Sequence, residues 1–268
     1  MERITITMVN ELLDRIDELV KRGEAKNRSH AIGILIKQAF RKKALKKALI
    51  LAGGRPEKLL LGKTMKPLIE VNGKTVLERI LLHLKKYGVE EAVVCLGSGG
   101  EKIVSSIQGR DLGVKLDFLW EEKPLGSAGA MKHAQKFFDE TFVLSWADVL
   151  CDELNLNDML EFHRTNDALC TLALTNVQNP LDFGVAKLEG SRIINFAEKP
   201  SKTSSNLVNT GVAICEPRIF DFIAGGSFEK DLLPAIAAKG KLFGYLYYRP
   251  WFEMGHSSEE AKKFYASK

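Results

Sequence analysis

The chain has 268 residues, 45% hydrophobic and 27% charged, with a formal net charge of +5. This length fits one large or two unequal domains, and the composition is that of a globular protein rather than a disordered or fibrous one. No apolar run approaches the roughly 20 residues a membrane-spanning helix needs. The alternating opening Met1-Glu2-Arg3-Ile4-Thr5 lacks the apolar core of a signal peptide, so the expected compartment is the cytoplasm, with no membrane partner.

The charge is unevenly placed. Residues 1–47 hold 12 Lys/Arg against 6 Asp/Glu, whereas the remainder is close to balanced. A basic front segment on a near-neutral body points to a polyanionic partner for the front alone. Cys95, Cys151, Cys170 and Cys215 are widely spaced without a C-x-x-C pair, which gives neither a zinc nor a redox motif. They read as reduced, structural residues.

In chain order, Arg3-Ile4-Thr5-Ile6-Thr7-Met8 alternates strictly and predicts a strand, with Arg3, Thr5 and Thr7 on its polar face. A helix follows with the stripe Leu12, Leu13, Ile16, Leu19 and Val20, ended by Gly23. A second helix is predicted to start at Ser29 as N-cap, with the stripe Ile32, Leu35, Ile36, Ala39 and Phe40. One strand and two helices in residues 1–45 bury too little to fold alone. The strand also needs a partner, and its copy in a second chain is the simplest one. A two-stranded ribbon fits the DNA major groove, where Arg3, Thr5 and Thr7 would face base edges. Arg28 and Ser29 at the second helix N-terminus would clamp a phosphate. The stretch "RITITMVNELLDRIDELV" followed by "NRSHAIGILIKQAF" resembles the ribbon-helix-helix family. The resemblance implies a homodimer or higher oligomer that binds double-stranded DNA.

Residues 46–268 form the second expected domain. Predicted strands fall at 48–51, 92–96, 116–120, 142–145, 168–175 and 211–214. Helices fall between them, at 75–87, 128–138 and 156–164. Alternating strands and helices predict a doubly wound, mostly parallel α/β sheet. The "GKT" at Gly62–Thr64 is not a P-loop, because Glu57 stands where that motif needs glycine. The Gly53–Lys66 loop is nonetheless basic and follows a strand, so amides and ammonium groups there could cradle phosphates.

The segments "LAGGRPEKLLLGKTMKPLIEVNGKTVLERI", "EEKPLGSAGAM", "FVLSWADVL", "FGVAKLEGSRIINFAEKP", "NTGVAI" and "WFEMGHSSEE" occur in that order. Together they resemble the sugar-1-phosphate nucleotidyltransferases from about Ala48 to Glu260. The resemblance implies that a nucleoside triphosphate and a sugar-1-phosphate are joined with release of pyrophosphate, with Mg2+ as cofactor. It implies that Gly53 and Gly54 approach the nucleotide, that Lys58 and Lys66 act on its phosphates, and that Gly126 packs on base and ribose. Gly184, Glu198, Asn209 and Thr210 would line the sugar site, with Lys199 on the sugar phosphate. Asp148 and Glu253 would be the metal carboxylates.

The chain departs from that family pattern at several positions. Pro56 replaces a loop glycine and removes an amide donor, and Lys58 stands for the usual Arg, a point charge for a bidentate fork. Trp146-Ala147 precede Asp148, Glu253 stands where Asp is usual, and His256 where Thr is common. Two readings follow: an active transferase fused to a DNA-binding module, or a transcriptional regulator whose altered transferase domain senses a nucleotide or nucleotide sugar.

Overall fold

The computed structural model describes residues 5–43 and 45–267. The chain divides into two compact units, Met1–Ala44 and Leu45–Lys268. The boundary thus lies one residue before the expected one. Leu45 is 1% exposed and packs in the core of the second unit, so burial assigns it there.

The first unit contains helices α1 (Asn10–Lys21) and α2 (Arg28–Lys43). Helix α1 ends as expected: Gly23 adopts φ 75° and its N–H reaches Val20 O at 3.1 Å, the left-handed conformation glycine takes without strain. The cap of α2 is Asn27 rather than Ser29. Asn27 Oδ1 accepts the His30 N–H at 2.9 Å, and Arg28 and Ser29 are already helical. Among the described residues, Ile16, Ala25 and Ala31 are the buried apolar side chains here, with Met8, Leu19, Val20, Ile32 and Ile34 packed around them. Leu35 and Ile36, expected in the buried stripe, are instead exposed, as is Leu12. The expected strand is not formed within one chain: residues 5–9 have no strand pairing. Arg3 and Ile4 lie outside the described residues, as do the side chains of Ala39 and Phe40.

The second unit is built on a nine-stranded sheet. Its strands are β1 (Lys47–Ala52), β2 (Glu91–Leu96), β3 (Lys115–Trp120), β4 (Phe142–Trp146), β5 (Cys170–Asn176), β6 (Gly184–Glu189), β7 (Arg192–Glu198), β8 (Leu207–Cys215) and β9 (Leu242–Leu246). The spatial order is β5-β9-β7-β6-β8-β4-β1-β2-β3, with β5 also pairing β8. The β4-β1-β2-β3 half is parallel. The other half is antiparallel except for the β5–β9 pair, which corrects the expectation of a mostly parallel sheet. One of the antiparallel pairs is the β6–β7 hairpin, whose Gly190-Ser191 turn is too short for a parallel crossover. Strands β6, β7 and β9 were absent from the sequence expectation, although a Gly-Ser pair between two strand-like runs is a hairpin signal.

The sheet is covered on both faces, as doubly wound sheets are. In β1, Ala48, Ile50 and Ala52 enter one apolar cluster while Leu49 and Leu51 enter the other. Helices α3 (Val76–Lys86), α4 (Gly100–Ile107), α5 (Gly126–Ala134), α6 (Leu156–Thr165), α7 (Leu233–Ala238) and α8 (Ser258–Ala266) complete the unit. All four cysteines are buried and unbridged. The β5–β8 register brings Cys170 and Cys215 opposite one another, 3.8 Å apart at sulfur. No helix among the described residues is long and apolar enough to cross a membrane.

Helix α3 starts on a reciprocal cap. Thr75 Oγ1 accepts the Glu78 N–H at 3.2 Å, and Glu78 Oε2 accepts the Thr75 N–H at 2.7 Å, satisfying two otherwise orphaned donors. Thr75→Ala is expected to cost about 1 kcal/mol, read as a lower urea midpoint with an unchanged denaturant slope.

Candidate active site

The C-terminal edge of the parallel half opens into a cleft of ≈ 880 Å³. It lies where β1 has β4 on one side and β2 on the other, the switch point at which open α/β sheets bind ligands. Gly53 and Gly54 follow β1 directly, Gly54 at φ 121°. A Cβ on Gly97, just after β2, would stand 3.0 Å from Gly54 N. Absent side chains therefore let these two backbones meet.

The loop after Gly54 makes a short helical turn, Pro56–Leu59, and then a tight hairpin pairing Leu60–Leu61 with Thr64–Met65. The "GKT" glycine, Gly62, occupies the hairpin turn at φ 60°. Arg55, Lys58 and Lys66 line the cleft. The turn Lys66–Leu68, with Pro67 buried, directs Lys66 inward.

Lys66 Nζ donates to Asp148 Oδ2 at 3.2 Å and to Glu253 Oε1 at 2.9 Å. Two short strands, Val149–Leu150 and Phe252–Glu253, pair antiparallel with Glu253 opposite Val149. The Met254 N–H bonds Asp148 O at 2.9 Å, which holds both carboxylates beside one cation. Burial, with repulsion from Glu253, pushes the Asp148 carboxyl up to about 6 against the pull of Lys66. For Glu253, burial is outweighed by Lys66, and its carboxyl is held below the ordinary range. Burial works against the charge on Lys66, but the two carboxylates raise it overall. Glu253 Oε2 is buried without a hydrogen-bond partner, and His256 Nε2 stands 3.8 Å from it.

On the far side of β4, Gly184 starts β6 and Glu198 ends β7. A Cβ on Gly184 would meet Phe196 Cζ at 2.5 Å and Glu198 Oε2 at 2.9 Å, so this position admits no side chain. Burial, then the nearby Glu229, raises the Glu198 carboxyl. Lys199 takes φ 47°, rare for a residue with a side chain, and its N–H bonds Phe183 O at 3.0 Å. Asn209 faces the cleft. Thr210 also lines the cleft, but its hydroxyl is buried and donates to Ala173 O at 3.0 Å. Its carbonyl accepts Trp251 Nε1–H at 2.9 Å, so it positions Trp251 and offers no free hydroxyl.

Gly126 opens α5 at φ 75°, against the backbone of Gly226; the Ala128 N–H bonds Gly226 O at 3.1 Å. Trp146 lines the cleft and packs on Phe228 with ring centroids 5.4 Å apart, so it forms part of the wall. Several lining residues were absent from the sequence expectation. Glu121, directly after β3, is one. Phe183 and Trp251 are others, with ring centroids 5.3 Å apart. The Gly226–Asp231 segment is tied to α5 by Ser127 Oγ donating to Glu229 Oε2 at 2.8 Å. Glu121, Phe183 and Trp251 each open one of the family-like segments and are legible there; the Gly226–Asp231 segment lies outside them and only the fold brings it in.

Among the described residues no group of three or more His, Cys, Asp or Glu side chains could hold a metal. Asp148 and Glu253 nonetheless fit a divalent cation. The ammonium between them marks where positive charge sits, and the unpartnered Glu253 Oε2 is one more available ligand. Mg2+ commonly uses only one or two protein carboxylates, completed by phosphates and water.

The nucleotidyl transferase family model matches residues 47–265. The chain belongs to the nucleotidyl transferase family. It is 32% identical over 225 residues to the mannose-1-phosphate guanyltransferase beta-B of Xenopus laevis, covering 80% of this chain and 62% of that protein. The chain thus spans less than two thirds of that relative's length. Among solved structures, HddC from Yersinia pseudotuberculosis complexed with GMP-PN superposes with a TM-score of 0.69 at 24% identity, covering 82% of this chain and 100% of that one. A UDP-glucose pyrophosphorylase complexed with UDP-glucose superposes with a TM-score of 0.69 at 18% identity, covering 84% and 100%. At these identities the structural likeness speaks for the fold.

The cleft of this chain depends on Gly126 in particular, where a positive φ coincides with a backbone contact. Gly126→Ala is expected to destabilise the protein by more than about 1 kcal/mol, seen as a lowered thermal midpoint.

Proposed function

We propose that the chain is a sugar-1-phosphate nucleotidyltransferase that joins a nucleoside triphosphate to a sugar-1-phosphate and releases pyrophosphate. The observation that carries this reading is the Lys66 ammonium between the Asp148 and Glu253 carboxylates at the centre of the cleft. Two anionic substrates can meet only where their charge is offset, and this is where the cleft collects cationic groups and potential metal ligands.

A phosphate oxygen of the sugar-1-phosphate attacks the α-phosphorus of the triphosphate. The new P–O bond forms as the bond to the β-phosphate oxygen breaks, and its electron pair leaves with pyrophosphate. Gly53 and Gly54 bring backbone to the nucleotide, and Gly126 packs against its base and ribose. Lys58 and Lys66 offset phosphate charge. Gly184, Glu198 and Asn209 line the sugar site, and Lys199 grips the sugar phosphate. Asp148 and Glu253 would hold Mg2+, which when bound supplies Lewis-acid neutralisation of phosphate oxygens. The extra methylene of Glu253 is compatible with this, because its paired strand sets it beside Asp148.

The front module we assign as a ribbon-helix-helix unit that dimerises and binds double-stranded DNA. Its basic surplus supports this, as does its small core with Ile6, Val9, Leu12, Leu35 and Ile36 exposed, the apolar surface a second copy would cover. Arg3, Thr5 and Thr7 form the reading face. Arg28 is a poorer phosphate clamp than its sequence position promised. Its guanidinium forks onto Asp17 at 2.6 and 2.7 Å, and this holds the Asp17 carboxyl below its ordinary range. Ser29, inside the helix, is likewise displaced as a cap by Asn27.

Purified protein with magnesium, common nucleoside triphosphates and a panel of hexose-1-phosphates, mannose-1-phosphate first, is expected to release pyrophosphate. Asp148→Ala should lower the rate by at least about 100-fold. Triphosphate binding without turnover would instead favour a ligand-sensing regulator. For the front module, Arg3→Ala combined with Thr5→Ala should abolish discrimination between a selected DNA site and random duplex while leaving the thermal midpoint of the α/β unit in place. Unchanged discrimination would remove the ribbon from the reading face.

A further inference from the structure

Arg79 lies on α3 and does not line the cleft. Its side chain is only 13% exposed, and a guanidinium so far from water needs partners in several directions. It finds them on three separate segments. Nε and Nη2 donate to Val71 O at 3.0 and 2.8 Å. Nη1 donates to Asp152 Oδ2 at 3.3 Å. The face of the guanidinium lies over the Tyr265 ring, 4.0 Å from its centroid.

Each of these segments leads within a few residues to one member of the Lys66, Asp148 and Glu253 cluster. Val71 belongs to the small hairpin of Glu70–Val71 with Lys74–Thr75, which follows the Lys66–Leu68 turn. The Val76 N–H bonds Ile69 O at 3.0 Å, so the start of α3 is fixed to that turn. Asp152 comes just after Val149–Leu150, the short strand that Asp148 precedes. Tyr265 lies in the last turn of α8, and its ring packs 6.1 Å from that of Phe252, the neighbour of Glu253. Phe264 packs on the same Phe252 ring at 5.4 Å. Asn72 Nδ2 donates to Tyr265 O at 3.0 Å, which joins the first segment to the third. Ahead of α8, Ser257 Oγ accepts the Glu253 N–H and donates to Glu253 O, both at 3.0 Å.

The Val149–Leu150 and Phe252–Glu253 pair sets the two carboxylates side by side, but Lys66 comes from a third stretch of chain. A metal or phosphate site needs its groups held to within about 0.5 Å. One planar fork that touches all three stretches supplies that constraint. An ammonium, a point charge on a flexible stem, lacks the flat face and the fixed donor directions. We propose that Arg79 is a positioning residue, clamping the segments that carry Lys66, Asp148 and Glu253 and so setting the spacing at which the two carboxylates share a cation with phosphate. The inference rests on the nucleotidyl-transfer reading of the cleft and adds to it what holds the cluster in place from outside.

Calorimetric titration of the full chain with GTP, UTP, dTTP and ATP, in magnesium and in EDTA, measures the gain in affinity that magnesium confers. The triphosphate bound most tightly is then used with Arg79→Lys and Tyr265→Leu, each confirmed as folded by circular dichroism. Both variants are expected to keep the affinity seen in EDTA and to lose about 10-fold or more of the magnesium gain, the effect of removing a group that supports a metal ligand. In turnover, kcat should fall while KM for the sugar-1-phosphate stays unchanged. A lowered thermal midpoint with the full magnesium gain in both variants makes Arg79 a stability residue alone and overturns the inference. An equal loss of affinity in magnesium and in EDTA overturns it too. If the unaltered protein shows the gain without turnover and the variants lose it, the transfer reading falls and the positioning role stands. Triphosphate binding by the unaltered protein with no magnesium gain overturns both the inference and the assignment of Asp148 and Glu253 to the metal.

Discussion

Lys66 joins carboxylates that lie 82 and 187 positions further along the chain. Each ion has given up most of its water, a cost of several kcal/mol that only close, well-directed partners offset. The three groups therefore depend on one another. Without Lys66, Asp148 and Glu253 would be like charges facing each other with little solvent. Without either carboxylate, the ammonium would lose half its compensation. The arrangement also explains the local backbone. The short strand pair around Val149 and Phe252, and the Met254–Asp148 bond, bring a segment from near the C-terminus back onto the edge of the parallel sheet. A cation fixed between anions at a switch point suits a site that handles phosphates.

Much of the cleft is shaped by side chains that are absent. Gly53 and Gly97 let the loops after β1 and β2 approach one another. Gly126 lets the start of α5 rest on Gly226, and Gly184 makes room for Phe196 and Glu198. A phosphorylated ligand bound by backbone amides needs that proximity. The cationic side chains then surround the floor from the loop after β1, so shape and charge have separate sources. Polar walls come from β7 and β8, and the aromatic pair Phe183 and Trp251 lines the cleft beside them, with Thr210 O accepting the Trp251 indole N–H.

The two units meet the demands of stability differently. The α/β unit buries two continuous apolar clusters, one on each face of its sheet. Among its described residues the front module has three buried apolar side chains and a two-point ion pair between its helices. An exposed ion pair of that kind contributes little in water, so the apolar side chains left in solvent are a debt that association can settle. The same Asp17 that ties α1 to α2 takes the guanidinium that position alone would have given to a phosphate.

Local patterns in the sequence determined the elements whose signals are local. The parallel strands, α3, α6 and the Gly23 stop followed from periodicity and turn chemistry. The ordered motifs contain Gly53, Lys66, Asp148, Glu198, Lys199 and Glu253, which line one cleft. Tertiary structure decided what rests on long-range contact. It turned half the sheet antiparallel, drew Leu45 into the larger core, and pointed the Thr210 hydroxyl into the sheet. It set Arg28 against Asp17 and stood Glu121, Phe183 and Trp251 at the cleft wall. A residue type and its neighbours dictate backbone preference and burial tendency. Which of two possible partners a charge or hydroxyl meets depends on which distant segment packs nearest, and that is settled only when the whole core closes.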